Sequence, residues 1–333
     1  MMLEKMGLPY AAALRGAGGV ADGLRVRQRA AVILLRLMQK RMAIGCAIVL
    51  QLAASAPAQA KWIEEQMDLP VQVSDSYGKT IAQSIKLTLF RDDSNPTPAP
   101  VLVLNHGRSA EATERAAMGR ARYLKASRYF VAQGFIVAVP TRIGYGDTGG
   151  QDVEDTGNCS SKRYEPGYAA ALAQTVAVLE AVRSRPDADR ERAVIAGQSF
   201  GGTTAIAAAA QRIPGVVAAI NFAGGGGGNP KTRPQRPCAP QAMERLFGSY
   251  GKSARVPTLW IYTENDQYLG AEHPREWFKA FKDAGGVGEF EQFPPHGEDG
   301  HSLFTRFPEV WQPRVRAFLD GLGVAPSSRR PGE

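Results

Sequence analysis

A glycine-flanked turn around Ser199 constrains this chain more than any other feature. Residues 197–201 read Gly-Gln-Ser-Phe-Gly; they follow the apolar run 193–196 and precede the small-residue segment 202–210. A strand, a tight turn with a central serine and then a helix is the arrangement in which the serine hydroxyl stands exposed at the end of a sheet. Glycines on both sides leave room for the strand and the helix to approach each other closely. We therefore expect Ser199 to be a nucleophile, provided that the chain also supplies a base, an acid and an oxyanion hole.

Apolar runs and helical segments alternate through most of the chain, which predicts an α/β fold. Residues 101–104 are apolar without alternation, as in a strand buried on both faces, so we expect a mainly parallel twisted sheet flanked by helices. Residues 71–73 and 85–89 alternate apolar with polar side chains, which predicts antiparallel strands at the N-terminal side. Further strands are predicted at residues 135–139, 192–196, 216–222, 256–263 and 288–293, and helices at residues 114–133, 164–185, 202–210, 274–284 and 307–322.

The loops that follow these strands are expected to form one rim, because ligands bind at the carboxyl ends of parallel strands. The loop 223–229 is rich in glycine but lacks the Gly-Lys-Ser/Thr ending of a phosphate-binding loop, so we expect it to form a wall of the site. The predicted rim consists of the loops after Leu104, Val139, Ala196, Phe222, Thr263 and Phe293.

A serine hydroxyl needs an adjacent base, and His301 is the candidate among the four histidines of the chain. The loop between the last predicted strand and the last helix contains both His296 and His301. Gly300, directly before His301, favours a tight turn that presents the ring. His296 is expected to be a polar residue of the same loop, and His273 is expected at the surface where a helix starts.

The acid that orients the base is expected after the penultimate strand, where Asp266 is the candidate and Glu264 the alternative. A carboxylate there would hold the imidazole in one tautomer and stabilise its protonated form. The order in the chain is then serine, acid, histidine, which is typical of one group of serine hydrolases and differs from the orders of the other serine-protease types.

The oxyanion hole needs two donors where negative charge develops on the substrate. One is expected to be the backbone N–H of Phe200, directly after the nucleophile. The other is expected in the loop after residue 104, where the N–H of Arg108 is the candidate and Ser109 the alternative. His106 precedes them, and we expect its ring to hydrogen-bond the backbone of that loop.

Four motifs in this order resemble the α/β-hydrolase superfamily, and within it the dienelactone hydrolase-like and prolyl-oligopeptidase-like branch. They are Asn-His-Gly at 105–107, Gly-Gln-Ser-Phe-Gly at 197–201, Glu-Asn-Asp at 264–266 and Asp-Gly-His at 299–301. The resemblance covers roughly residues 100–322 and implies the α/β-hydrolase fold. It also implies catalysis through an acyl-enzyme, without a metal or a cofactor.

The resemblance has one departure that bears on the substrate. Dienelactone hydrolase proper uses a cysteine nucleophile, whereas position 199 is serine here. We therefore expect hydrolysis of a small carboxylic ester or short acyl substrate. A peptidase or amidase with the same triad is the nearest alternative, and a binding module without catalysis is another.

The first 60 residues read as a secretory leader. Lys40 and Arg41 precede the apolar run 42–54, and an Ala-x-Ala ending closes at Ala60, where we expect cleavage. The alternative is an uncleaved anchor, although the run is shorter than a membrane span requires. We therefore expect an exported protein, periplasmic or secreted, without a stable membrane span after cleavage. The expected organisation is a leader at 1–60, one domain at 61–323 and a flexible tail at 324–333.

The charge of the chain resides mostly in this leader. The formal net charge is +8, but residues 1–60 hold eight of the 40 basic and two of the 32 acidic residues, which leaves +2 for the rest. A nearly neutral body does not predict a nucleic-acid partner.

Cysteine usage fits the same interpretation. Cleavage after Ala60 would remove Cys46 and leave Cys159 and Cys238, a candidate disulfide in an exported protein. Two unpaired thiols are the alternative.

Overall fold

The computed structural model of the protein describes residues 61–324. The predicted signal peptide, Cys46 and all but the first residue of the predicted tail lie outside the described residues. The described part is built on one eight-stranded sheet, with the strand order β1-β2-β4-β3-β5-β6-β7-β8. The strands are β1 Trp62–Ser74, β2 Thr80–Asp92, β3 Ala99–Asn105, β4 Ile136–Thr141, β5 Ala188–Gln198, β6 Val216–Phe222, β7 Thr258–Thr263 and β8 Gly288–Phe293.

The sheet is mixed, as the hydrophobic pattern predicts. β1 and β2 form an antiparallel hairpin in which Trp62 pairs with Asp92 and Ser74 pairs with Thr80. β2 also pairs antiparallel with β4. The pairings of β3 with β4 and β5, and of β6 with β5 and β7, are parallel, as is that of β7 with β8. The carboxyl ends of six successive strands in the order therefore share one edge.

Helices cover both faces of this sheet. Because side chains alternate along a strand, Val101 and Val103 of β3 belong to the core on one face, and Leu102 and Leu104 belong to the core on the other. All four are fully buried, which explains why their segment is apolar without alternation. The helices are α1 Ala112–Ala116, α2 Leu124–Ala132, α3 Tyr164–Arg183, α4 Phe200–Ala210, α5 Pro240–Gly251, α6 Glu272–Asp283, α7 Leu303–Arg306 and α8 Pro308–Gly321.

The helix predicted at residues 114–133 is wrong in one respect, because the structure divides this segment into α1 and α2. Gly119 and Tyr123 have positive φ angles of 68° and 44°, which a continuous right-handed helix does not allow. The break directs the Tyr123 hydroxyl to the loop after β3, where the backbone N–H of Gly107 donates to it at 3.3 Å.

Helix α5 was not predicted from the sequence. Met243, Leu246 and Phe247 are its buried side chains at helical spacing, and Pro240 stands in its first turn, where the absence of a backbone N–H costs nothing. Within the described residues, no helix is long and apolar enough to cross a bilayer. The same residues contain no cluster of three or more His, Cys, Asp or Glu side chains that could hold a metal ion.

Candidate active site

Ser199 stands in a strained turn between β5 and α4. Its φ of 55° and ψ of −121° lie in a region that residues other than glycine rarely adopt. The turn is fixed on both sides, since the Ser199 N–H donates to the Phe222 carbonyl at 2.8 Å and the Gly202 N–H donates to the Ser199 carbonyl at 2.8 Å. Backbone hydrogen bonds to the neighbouring strand and helix therefore hold the residue in this conformation.

The two flanking glycines are required by close approach, as the sequence predicts. A Cβ atom on Gly197 would lie 2.2 Å from the Gly201 carbonyl oxygen. A Cβ atom on Gly201 would lie 2.3 Å from the Asn105 carbonyl oxygen, at the end of β3. Any side chain at either position would push apart β3, β5 and α4 at the point where Ser199 is presented.

The structure joins His301 to Asp266 by a hydrogen bond of 2.8 Å between Nδ1 and Oδ2. Asp266 is fully buried and His301 is 6% exposed. The other carboxylate oxygen of Asp266 accepts from the backbone N–H groups of Tyr268 at 2.8 Å and Leu269 at 2.9 Å. An ionised carboxylate only accepts hydrogen bonds, so Nδ1 of His301 carries the proton and Nε2 of the neutral ring is left free to accept one. Glu264, the alternative acid, has an exposed side chain.

The charge of Asp266 changes the proton affinity of His301. Burial by itself lowers the pKa of His301, but the negative charge and the hydrogen bond of Asp266 outweigh burial and raise the pKa above its usual value. A proton accepted by this ring is thus stabilised by a neighbouring carboxylate, as a general base requires.

Hydrogen bonds and ring stacking connect the loop after β7, which contains Asp266, to the loop after β8, which contains His301. One carboxylate oxygen of Asp299 accepts from the N–H groups of Gln267 and His301, both at 2.9 Å. The ring of Tyr268 stacks on that of His301 with 4.1 Å between their centroids. Gly300 is required here because a Cβ atom would lie 1.9 Å from Thr263 Oγ1. The histidine is therefore positioned by both loops.

The other histidine of this loop is placed elsewhere. Nδ1 of His296 lies 2.7 Å from the Pro294 carbonyl, and its ring packs edge-on against Phe307. The residue is a polar loop residue, as expected, and it lines neither of the two clefts at Ser199.

Two clefts of different size meet at Ser199. The smaller has a volume of about 180 Å³ and the larger about 310 Å³. Ser199 and His301 line both clefts, as do Arg108, Ser109 and Tyr268. A substrate whose carbonyl lies at Ser199 can therefore extend in two directions.

The loop after β3 lies directly against the nucleophile. A Cβ atom on Gly107 would lie 3.1 Å from Ser199 Cβ. The Gly107 N–H is engaged by Tyr123, so the next N–H in the chain, that of Arg108, is the first available donor in this loop. Phe200 begins α4, and the first N–H groups of a helix have no acceptor within the helix. The two expected oxyanion donors thus belong to segments that flank Ser199.

A buried ion pair, which the sequence did not reveal, stabilises the loop after β3. Arg142 and Glu154 are both fully buried and pair through Nε and Oε1 at 2.6 Å. Arg142 also donates from Nη1 to the His106 carbonyl at 2.9 Å. Burial by itself lowers the pKa of Arg142, but the charge of Glu154 more than offsets this, so the guanidinium remains protonated. A charge at the end of β4 thereby fixes the backbone one residue before Gly107.

The His106 ring helps to hold the same loop in place, as expected from the sequence. Its Nε2 accepts from the backbone N–H of Arg142 at 3.1 Å, so its Nδ1 carries the proton and donates to the Gly107 carbonyl at 2.7 Å. Burial and then the charge of Arg142 lower the pKa of His106 well below its usual value. The ring is neutral and structural.

The side chain of Arg108 has hydrogen-bond partners of its own, separate from the role expected of its backbone N–H. Its guanidinium binds the Asp152 carboxylate through two hydrogen bonds of 2.7 and 2.5 Å, and donates to the Tyr145 hydroxyl at 3.1 Å. Tyr145 in turn donates to Glu154 at 2.6 Å. A continuous network of polar side chains therefore runs from Arg108, in the loop after β3, to the buried ion pair of Arg142 and Glu154.

A comparison with protein families decides the classification. The model of the dienelactone hydrolase family matches residues 115–310, more than half of the 333 residues. The chain belongs to the dienelactone hydrolase family. This member is accordingly a hydrolase, and Ser199, Asp266 and His301 all lie within the matched range.

Solved structures resemble this family member in fold. A candidate dienelactone hydrolase from Klebsiella pneumoniae has a TM-score of 0.52 at 14% identity, with 79% of this chain and 99% of that chain covered. An acetyl xylan esterase from Paenibacillus sp. R4 has a TM-score of 0.51 at 17% identity, covering 79% and 88%. An acylaminoacyl peptidase from Pyrococcus horikoshii has a TM-score of 0.52 at 18% identity, covering 81% of this chain but 43% of that chain. At these identities the likeness establishes the α/β-hydrolase fold alone. A comparison with curated protein sequences gave no significant match.

A disulfide closes the smaller cleft of this hydrolase. Cys159 and Cys238 are bonded, with their Cα atoms 5.1 Å apart, and both line the cleft. The bond joins the segment before α3 to the segment before α5.

The glycine-rich loop after β6 forms a wall of the same cleft, as expected. A Cβ atom on Gly226 would lie 2.7 Å from the ring of Tyr164, and one on Gly228 would lie 2.7 Å from Cβ of Tyr268. The Gly225 carbonyl accepts from the Tyr168 hydroxyl at 2.9 Å. The glycines therefore permit close packing of the wall against aromatic side chains.

Breaking the buried ion pair should destabilise the fold. In Glu154→Ala, Arg142 would be left as an unpaired buried charge, and we expect the free energy of unfolding to fall by about 3–5 kcal/mol. Urea denaturation of the variant and the wild type measures this. The control is Glu180→Ala, which removes a half-exposed pair with Arg183 and should cost less than about 1 kcal/mol. A loss in Glu154→Ala no larger than in this control would contradict the assigned role of the pair.

The raised pKa of His301 sets the pH dependence. The ring must be neutral to accept a proton, so kcat/KM for 4-nitrophenyl acetate should rise with pH through a midpoint above the usual histidine value of about 6.5. In Asp266→Asn the midpoint should move down, since the stabilising charge is gone, and kcat should fall by about 10³–10⁴-fold. The pH–rate profiles of both proteins test this. The exposed Glu264→Gln is the control, and a larger loss there than in Asp266→Asn would assign the acid to Glu264 instead.

Proposed function

We propose that this chain is an exported serine hydrolase that cleaves carboxylic esters through Ser199, His301 and Asp266. The observation that carries the proposal is the hydrogen bond of 2.8 Å between buried Asp266 and His301, on a ring that lines the same clefts as the strained Ser199. A base with a fixed tautomer and a nucleophile in an exposed turn, on adjacent loops, are what acyl transfer requires.

In the proposed acylation step, Nε2 of His301 takes the proton of Ser199 as its oxygen attacks the ester carbonyl. Asp266 stabilises the imidazolium that forms and keeps the ring oriented. The N–H groups of Phe200 and Arg108 stabilise the negative charge on the tetrahedral oxygen. His301 then gives the proton to the departing alkoxide, and the acyl group remains on Ser199.

In deacylation the same groups act in the same order on water. His301 removes a proton from a water molecule that attacks the acyl carbonyl, and the oxyanion donors stabilise the second tetrahedral intermediate. Collapse returns the proton to Ser199 and releases the acid. Asp266 keeps its three hydrogen bonds throughout, because its second oxygen is held by the N–H groups of Tyr268 and Leu269.

The small clefts favour esters as substrates. The serine at position 199 also favours ordinary ester hydrolysis, because dienelactone hydrolase proper uses a cysteine as its nucleophile. The acetyl xylan esterase of similar fold is compatible with this choice. The similar fold of an acylaminoacyl peptidase makes amide hydrolysis the second candidate. The same triad serves both reactions, so substrates must distinguish them.

A labelling experiment tests the nucleophile. A fluorophosphonate probe should label the wild type at Ser199, identified by peptide mass spectrometry, and should not label Ser199→Ala. The control is Ser94→Ala, an exposed loop serine, which should label like the wild type. Labelling that persists in Ser199→Ala would refute the triad, and a wild type that resists the probe would favour a binding module. A higher kcat/KM for 4-nitroacetanilide than for 4-nitrophenyl acetate would show that the protein is an amidase and not an esterase.

Export is supported by the leader pattern and by the disulfide. We expect mature protein isolated from outside the cytoplasm of a Gram-negative host to begin at Lys61, because the Ala-x-Ala ending closes at Ala60. N-terminal sequencing of that fraction measures this. Full-length protein that stays in the cytoplasm or the membrane would contradict it.

A further inference from the structure

The aromatic ring of Tyr268 covers one face of the imidazole of His301. The two ring centroids are 4.1 Å apart and the ring planes differ by 23°, so the rings are stacked. Stacking uses the face of the imidazole and leaves both nitrogens at its edge, where Nδ1 bonds Asp266 at 2.8 Å. The reaction steps proposed above make no use of this contact.

Tyr268 has little freedom to leave this position. Its backbone N–H donates to Asp266 Oδ1 at 2.8 Å, which fixes the residue to the same carboxylate that orients His301. The glycine-rich loop also packs closely on its backbone, because a Cβ atom on Gly228 would lie 2.8 Å from the Tyr268 carbonyl oxygen. The ring is therefore held against His301 by contacts within the protein, before any substrate binds.

An aromatic face distinguishes the protonated imidazole from the neutral one. The face of a tyrosine ring carries negative potential and attracts a cation that lies within about 6 Å of its centroid. His301 is almost fully buried and Tyr268 is half-buried, so water screens this attraction only in part. In acylation His301 changes from a neutral ring to a cation. An interaction that strengthens as the charge forms lowers the barrier, which an equal interaction with both states would not do.

We propose that Tyr268 is a positioning residue that stabilises the protonated ring of His301 through the face of its own aromatic ring. The inference rests on the proposed esterase function and adds a residue to it. Tyr268 acts through His301 and forms no bond in the reaction. Asp266 contacts the same charge at the edge of the imidazole, so the two residues stabilise it from different directions.

Other titratable groups also act on His301 and have to be held constant in a test. Burial lowers the pKa of His301, and the charges of Asp266 and Asp299 more than offset this. Burial and then the charge of Asp299 raise the pKa of Tyr268, so its hydroxyl is neutral near pH 7. Burial likewise raises the pKa of the other tyrosines that line the clefts. The remaining charged side chains of the two clefts are Arg108, Glu114, Arg115, Lys162 and Arg233. All of them are retained in a variant of Tyr268.

Variants at position 268 separate the face of the ring from its volume. In Tyr268→Leu the pH midpoint of kcat/KM for 4-nitrophenyl acetate should fall by about 0.4–1.5 pH units, the equivalent of one contact between a cation and an aromatic face. Tyr268→Phe keeps that face and should keep the wild-type midpoint. A polyfluorinated phenylalanine, introduced at 268 by nonsense suppression, keeps a ring but withdraws electrons from its face. Its midpoint should therefore fall toward that of Tyr268→Leu.

The pH dependence of the rate distinguishes this role from a purely structural one. Above both midpoints, kcat/KM of Tyr268→Leu should be about 3- to 30-fold below that of the wild type. Below both midpoints the loss should shrink, because more of the variant's histidine is then neutral. A histidine that is merely misplaced would lower the rate by the same factor at every pH.

The control is Tyr77→Leu, which removes a ring that is 79% exposed and lines neither of the clefts at Ser199. This variant should keep the wild-type midpoint and rate. Circular dichroism establishes that each variant is folded. A wild-type midpoint in Tyr268→Leu, or equal midpoints for the fluorinated ring and Tyr268→Phe, would overturn the proposal.

A direct titration of His301 separates this inference from the esterase function. NMR of protein labelled with ¹³C-histidine measures the midpoint without any ester, and the His301 signal is assigned by its absence in His301→Gln. A lower midpoint in Tyr268→Leu, in a protein that hydrolyses no ester, would retain the stacking interaction and refute the esterase. Ester hydrolysis with the same midpoint in both proteins would retain the esterase and refute the role of Tyr268.

Discussion

The backbone of Ser199 is the constraint on which the rest of the structure depends. Its positive φ is maintained only where β5, α4 and the end of β3 touch without side chains between them. Gly197 and Gly201 make that contact possible, and the hydrogen bond from Ser199 to Phe222 ties the turn to β6. The strain at one residue is thus offset by packing and hydrogen bonds spread over three strands and a helix.

Two electrostatic arrangements then complete the site on either side of the turn. On one side, buried Asp266 orients His301 and raises its pKa. On the other, the buried pair of Arg142 and Glu154 fixes the loop that presents the Arg108 N–H. Both place a charge where water cannot screen it, so each acts strongly on its neighbour. The mobile parts of the proposed reaction are therefore the proton and the substrate, while the protein groups remain in place.

The sequence predicts the mixed sheet and the grouping of the candidate residues, because both follow from local patterns. Apolar runs mark the strands, and parallel strands bring their carboxyl ends to one edge, so Ser199 and His301 meet although 102 positions separate them in the chain. The sequence limits the candidate acid to Asp266 or Glu264 but does not decide between them. The two residues differ in burial, and burial depends on the folded chain.

Other features depend on tertiary contacts that no local pattern encodes. The pairing of Arg142 with Glu154 depends on how the loop after β4 folds back against the loop after β3. The break before α2 depends on Tyr123, whose left-handed backbone serves a contact with Gly107.

The most direct test of the account is to trap the covalent intermediate. Wild-type protein mixed with excess 4-nitrophenyl acetate and quenched in acid within the first turnover should carry an acetyl group on Ser199, detected by peptide mass spectrometry. This adduct should appear together with a burst of nitrophenol equal to the enzyme concentration. Turnover of the ester with no acyl group on Ser199, or with the acyl group on another residue, would contradict it.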